Sequence, residues 1–226
     1  MRVLDVGCGP GTITLGLAQA VAPGEVIGID IEPSQIDAAR ALADEQQVAN
    51  LHFRVGEGEV LDFADGSFNA VFSYAVIEHV HDPLAILREM RRVVRVGGLA
   101  GVDASDWGGR VTEPLIPEVE DAIAVYQRVW EYNGGHARLG RQQRTLMRTA
   151  GFGRLETTAG ALQLTPGAGE LLAGLLSAPR FVERVTALGW AGSDTIDRWV
   201  TALREWDQNA DSLWAHLRFG TVGWAE

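Results

Sequence analysis

Cross-linking by disulfides is closed to this chain, because its 226 residues hold a single cysteine, Cys8. One thiol fits a reducing compartment, and cytoplasmic localisation is the expectation. No charged segment followed by an apolar core opens the chain, and no uncharged stretch of about 18 or more apolar residues occurs. Neither a leader nor a membrane partner is therefore expected. Basic residues are scarce beside acidic ones: 19 Lys and Arg against 30 Asp and Glu, a net charge of -11 at pH 7. Affinity for a phosphate backbone draws chiefly on clustered Lys and Arg, so nucleic acid is an unfavourable partner. The one basic cluster, from Arg88 to Arg95, has apolar residues at helical spacing between its charges and reads as a solvated helix face. A small-molecule substrate is left as the favoured partner, with the oligomeric state open. Repeats and low-complexity linkers are absent too. A chain of this length that is 46% apolar can bury one good core, which predicts a single domain over residues 1–226.

What is present is concentrated at the start. Val3-Leu4-Asp5-Val6-Gly7-Cys8-Gly9-Pro10-Gly11 is a short apolar strand running into glycines at every second position and then into a helical pattern. Glycine serves where the backbone needs positive φ or where a ligand approaches the main chain, and a helix N-terminus offers unpaired N–H groups. Asp5 falls at the carboxyl end of the strand, where open α/β sheets place their ligands. The dinucleotide fingerprint asks for a third small residue at the position held here by Thr12. A carboxylate two residues before the first glycine would also repel a pyrophosphate. A cationic or zwitterionic ligand suits Asp5 better.

Strands and helices alternate through the first half. Residues 12–22, 33–47 and 83–96 read as helices, and residues 2–6, 25–30, 51–55, 69–73 and 99–104 as strands, which predicts a parallel sheet covered on both faces. After Asp106 the rhythm changes. A loop containing Gly108-Gly109 is expected, then helices over 118–132 and 140–150, a strand over 154–163, a helical segment over about 166–209 and a last strand over 213–224. Residues 1–106 would form the cofactor half and 107–226 the substrate-side half.

Asp30 closes the second strand, where α/β nucleotide folds hold ribose hydroxyls, and Ile31 beside it could lie against a base; capping of the next helix is the plainer role for Asp30. Asp-x-Gly-x-Gly-x-Gly resembles motif I of the class I S-adenosylmethionine-dependent methyltransferases. Gly56-Glu57-Gly58-Glu59 stands where that family commonly has Gly-Asp-Ala, and Phe72 to Val80, Asp82-Pro83 and Arg91 to Gly98 extend the likeness over about residues 2–106. The nearest groups are the ubiquinone/menaquinone-biosynthesis-like and other small-molecule methyltransferases. The resemblance implies a Rossmann-like, doubly wound α/β fold: a mostly parallel seven-stranded sheet, the last strand antiparallel, with a helical insertion before it. It implies S-adenosyl-L-methionine as cofactor, with Asp5, Gly7, Cys8, Gly9 and Gly11 at its methionine half. Glu57 and Gly58 would meet the adenine, and the Ser73 and Tyr74 main chain the amine. It also implies one or two helices ahead of the first strand, which here begins at Arg2.

Such a cofactor needs no metal, and His79 to Asp82 or Asp103 with Asp106 match no closed metal site. His79, shortly after the fourth strand, is the candidate general base; packing under the rim of the sheet is its alternative role. Cys8 could be acidified by the helix N-terminus or serve simply as a small turn residue. The family's Asn/Asp-Pro-Pro-Tyr/Phe signature for planar amide or nucleobase nitrogen is replaced by Ser73-Tyr74-Ala75-Val76. Methyl transfer to O, N or C of a small organic acceptor is the expected function. A cofactor-binding module without turnover and an NAD(P)-dependent oxidoreductase are the alternatives.

Overall fold

The computed structural model describes residues 1–226. Seven strands form one sheet: β1 (Arg2–Val6), β2 (Glu25–Asp30), β3 (Leu51–Val55), β4 (Phe68–Tyr74), β5 (Val94–Glu113), β6 (Leu155–Gln163) and β7 (Leu213–Trp224). Their order is β3-β2-β1-β4-β5-β7-β6. The pairs β1/β2, β1/β4, β2/β3 and β4/β5 are parallel. β7 runs antiparallel, bonding its end to β5 through Gly97 N to Ala225 O at 2.7 Å and Ala225 N to Gly98 O at 3.0 Å. The chain steps outward from β1 to β3 on one side and returns to β4 on the other. That reversal opens a crevice at the carboxyl ends of β1 and β4, the switch point at which such sheets bind ligands.

Two compact units divide the chain: residues 1–105, 139–159 and 219–226, and residues 106–138 and 160–218. In the first, Val3, Leu4 and Val6 of β1 are all apolar and buried because both faces of the strand are covered. Val3 joins Val26, Ile36, Ala39 and Phe53 on one face, and Leu4 and Val6 join Val71, Ile86 and Met90 on the other. The alternation follows from the two-residue period of a strand. The covering helices include α1 (Thr12–Val21), α2 (Pro33–Glu45) and α3 (Pro83–Val93). Asp82 caps α3, its Oδ1 accepting from Leu84 N and Ala85 N at 3.0 Å each.

Within the basic cluster, Arg88 and Arg95 are exposed as expected, whereas Arg92 is engaged in bonds. Arg92 donates to both oxygens of Glu89 and to the carbonyls of Leu61 and Phe63, all at 2.7–2.8 Å. Glu89 in turn accepts from Leu61 N at 2.8 Å. Together they tie α3 to the segment that follows β3.

The second unit is helical and aromatic. It contains α4 (Pro117–Tyr132), α6 (Ala168–Ser177), α7 (Pro179–Ala187) and α8 (Ser193–Gln208), whereas the short α5 (Gln143–Thr149), preceded by a 3-10 turn at Gly140–Gln142, belongs to the first. Leu172, Phe181, Trp199, Leu203, Trp206 and Trp214 are buried together here. The expected single helical segment is thus three helices, broken where Pro179 starts α7 and where Gly189 takes a positive φ of 66°. The expected loop at Gly108-Gly109 is strand, because β5 continues to Glu113. Its glycine answers to a neighbour: a Cβ on Gly109 would lie 2.5 Å from Leu217 Cδ1. Close approach to a partner strand, and no turn, explains that residue.

Candidate functional site

A cavity of about 870 Å³ lies in the first unit, lined by residues from the loop after β1, the end of β2, the loop after β3 and the segment after β4. The loop after β1 is shaped by two glycines with different duties. Gly7 has φ of 74°, and a Cβ there would sit 2.3 Å from Val76 Cγ2. Gly11 has φ of 82°, and a Cβ would meet the Phe53 ring at 2.8 Å and Ala39 Cβ at 3.0 Å. Gly7 therefore lets the loop pass beneath the segment after β4, and Gly11 lets α1 settle against α2. α1 starts without a side-chain cap, so its first N–H groups stay available to a ligand.

Four carboxylate residues line the cavity, Asp5, Asp30, Glu57 and Glu59, and no Lys or Arg does. Asp5 is 2% exposed, and its Oδ2 accepts from Thr14 Oγ1 at 2.7 Å. Burial pushes its pKa up to about 6, the Thr14 bond pulls it back, and the Asp30 charge adds to the rise. Asp30 accepts from Gly9 N through Oδ2 at 2.9 Å and from Glu32 N through Oδ1 at 3.0 Å. A carboxylate oxygen has a second acceptor site, so each can still take a ligand hydroxyl. The helix after β2 opens at Glu32 without a side-chain cap bond of its own, so Asp30 ties the glycine loop to the residue that starts this helix.

Of the residues singled out in the sequence, Asp5, Gly7, Cys8, Gly9, Asp30, Ile31, Glu57, Gly58, Tyr74 and His79 line the cavity. Gly11 and Ser73 do not: Gly11 faces α2, and Ser73 is 1% exposed within β4. Alternation explains Ser73, since Tyr74 at the end of the same strand points the other way. Gln35, Glu59, Val76 and Ile86 were not foreseen. Glu59 repeats Glu57 at a spacing of two, a signal that could have found it. Val76 had none, because its partnership with Gly7 is decided by the β1/β4 pairing.

His79 lines the cavity and is exposed. Desolvation by the surrounding protein still holds its pKa below the ordinary value, so the imidazole is neutral at pH 7 and able to accept a proton. Cys8 is buried, and burial with the nearby Asp5 and Asp30 charges pushes its thiol up to about 12. This runs against acidification by the helix N-terminus and agrees with the reading of Cys8 as a small turn residue. No group of three or more His, Cys, Asp or Glu residues is placed to hold a metal ion.

A family model described as "Methyltransferase domain" matches residues 1–153, which carry the glycine loop and every wall of this cavity. An uncharacterized methyltransferase of Schizosaccharomyces pombe is 43% identical over 103 residues, covering 43% of this chain and 37% of its own length. The demethylmenaquinone methyltransferase of Lactococcus lactis subsp. lactis is 34% identical over 128 residues, covering 56% of this chain and 48% of its own. The chain thus spans less than half the length of these curated relatives. Among solved structures, the YcgJ protein of Bacillus subtilis has a TM-score of 0.68 at 19% identity, with 100% of this chain and 92% of that one covered. A Haemonchus contortus phosphoethanolamine N-methyltransferase in complex with S-adenosyl-L-methionine has a TM-score of 0.62 at 18% identity, with 100% and 49% covered. These two likenesses show the fold. With two thirds of its length matched by one model, the chain belongs to the methyltransferase-domain family.

Proposed function

We propose that this chain binds S-adenosyl-L-methionine in the cavity of its first unit and directs methyl transfer to an O, N or C atom of a small organic acceptor. One observation carries the reading: a cavity at the sheet's switch point walled by four carboxylates, without a single Lys or Arg. That donor set fits a ligand bearing a sulfonium and an ammonium and opposes the pyrophosphate of NAD(P). The demethylmenaquinone and ubiquinone-biosynthesis methyltransferases among the relatives act on small molecules by name, in keeping with this acceptor class.

When bound, the cofactor supplies an electrophilic methyl group without a metal. The chain does the rest by placement. The main chain of the Gly7–Cys8–Gly9 loop and the open N-terminus of α1 would hold the methionine end. Asp30 would accept the ribose hydroxyls with the lone pairs left by Gly9 N and Glu32 N. Ile31, 62% exposed, offers an apolar face to the adenine, and Glu57 with the Gly58 main chain would meet its edge. Asp5 would set a negative charge toward the methionine end, and neutral His79 could take a proton from an O–H or N–H acceptor.

A net charge of -11 supports small molecules over nucleic acid. No helix is long and apolar enough to cross a membrane; with its one buried cysteine, the cytoplasm is the compartment we propose. Calorimetry with S-adenosylmethionine, S-adenosylhomocysteine and NAD(P), followed by assay of S-adenosylhomocysteine formation over a metabolite panel, tests the proposal. Micromolar binding of both sulfur compounds and turnover of one acceptor are expected. Binding without turnover would favour the cofactor-binding module, and preference for NAD(P) would favour the oxidoreductase.

A further inference from the structure

Thr14 meets the candidate site only through another residue. It is 0% exposed, and with Ala18 one turn later it forms the buried face of α1. It does not line the cavity, whereas its neighbours Thr12 and Ile13 do. A threonine in a helix can turn its hydroxyl back onto a carbonyl of the preceding turn. Thr149, Thr186 and Thr201 do so, each to the residue four positions before it, at 2.8–2.9 Å. Thr14 Oγ1 donates instead to Asp5 Oδ2 on β1, at 2.7 Å. Packing alone gives no reason for a hydroxyl at this place, since valine has nearly the same shape and no polar atom to bury.

Asp5 has little other support for a charge. On β1 it pairs with Gly28 of β2 on one side and Phe72 of β4 on the other, and neither is ionisable. The titratable groups around it are Cys8, a neutral thiol, Asp30, and the remaining cavity residues Glu57, Glu59, Tyr74 and His79. No Lys or Arg lines the cavity to share the task. Burial and the Asp30 charge both oppose a negative Asp5, and the Thr14 bond favours it. That bond takes one carboxylate oxygen and leaves the other for a ligand in the cavity that Asp5 lines. We propose that Thr14 is a positioning residue of this site: by donating to Asp5 it sustains the buried negative charge, and so sets how strongly the chain prefers S-adenosylmethionine to S-adenosylhomocysteine. The two compounds differ in one methyl group and in the positive charge on sulfur, so a buried anion favours the first over the second. The inference rests on the methyl-transfer reading and adds to it a residue that sets cofactor against product.

Calorimetry of the full chain with each sulfur compound, from about pH 5 to about pH 8, tests it. In the unmodified chain, S-adenosylmethionine affinity should fall more steeply than S-adenosylhomocysteine affinity as pH drops and Asp5 takes up a proton. Thr14→Val should move that fall upward by about one to two pH units and cut the preference for S-adenosylmethionine at pH 7 by about threefold or more. Thr14→Ser, which keeps the donor, should restore most of both, whereas a merely structural Thr14 would move neither the pH profile nor the ratio. His79, held below its ordinary value, can titrate within this range. An Asp5→Asn background separates the two, because Thr14→Val should change the ratio no further there. Should Thr14→Val fail to fold, Thr14→Ala removes the same hydroxyl with less bulk and carries the same expectations. A ratio and pH profile indifferent to loss of the hydroxyl, or an equal shift in the Asp5→Asn background, would overturn the proposal while the methyl-transfer reading stands on the binding itself. Failure of the unmodified chain to bind either compound would sink that reading and this inference with it.

Discussion

The first unit and the second are stabilised and specified in different ways. In the first, the cavity is shaped by main chain: a loop whose glycines take φ of 74° and 82° brings N–H groups and two aspartates to one place. In the second, the side chains are large and aromatic, and Trp206 and Trp214 are each 1% exposed in the core they share. A site of the first kind tolerates little substitution and is written in short motifs. One of the second kind tolerates variation of volume-matched apolar residues and leaves no motif.

Trp206→Ala should break the contrast most visibly. Removing a fully buried indole, with its Nε1 bond to Pro114 O at 3.0 Å, is expected to cost about 3–5 kcal/mol in denaturant unfolding. S-adenosylhomocysteine affinity under native conditions should stay within about twofold, a change worth about 0.4 kcal/mol. A collapse of cofactor binding with the fold still intact would refute the division of labour.

Next in size is a pH effect in the first unit. Asp5 is held at about 6, above its ordinary value of 3.8. A carboxyl whose folded pKa is raised contributes stability that is complete below the unfolded value and is lost as pH climbs through the folded one. The loss between pH 4 and 6 should approach about 3 kcal/mol. Unfolding curves of the unmodified chain and of Asp5→Asn across that window should converge at low pH, with the variant's profile flatter as pH rises; parallel profiles would show that Asp5 is not the group responsible.

Asp30→Ala should weaken S-adenosylhomocysteine binding at least about tenfold in calorimetry, through loss of charge-assisted acceptors and of the tether on Gly9 N. Unchanged affinity would confine Asp30 to holding the loop. The smallest effect is expected from Arg92→Met. Freeing the segment pinned by Arg92 should loosen residues 56–59 beyond it and weaken the same binding by about two- to fivefold. A larger loss than that of Asp30→Ala would mean that the clamp, and not the acid, governs the cavity.

Much of the first unit was legible in the sequence because its determinants are local. β2, β3 and β7 have their expected ends, and the glycine loop, Asp30 and Glu57 reach the cavity together. The errors have a common origin in partners distant along the chain. Gly108-Gly109 looked like a loop because glycine usually marks one, yet Leu217 of the neighbouring strand is what requires Gly109. Arg92 looked solvated, yet it bonds carbonyls about 30 positions back.

By itself the sequence determined the alternation of strands and helices, the glycine geometry of the loop after β1 and the acidic character of the ligand site, because hydrophobic period, positive φ and side-chain charge are properties of short stretches. Only the tertiary structure decided which residues face the cavity, that Asp5 sits far above its ordinary pKa, and that Thr14 is the residue bonded to it. Those facts depend on desolvation and on contacts between segments far apart in the chain, and neither is a property of any one segment.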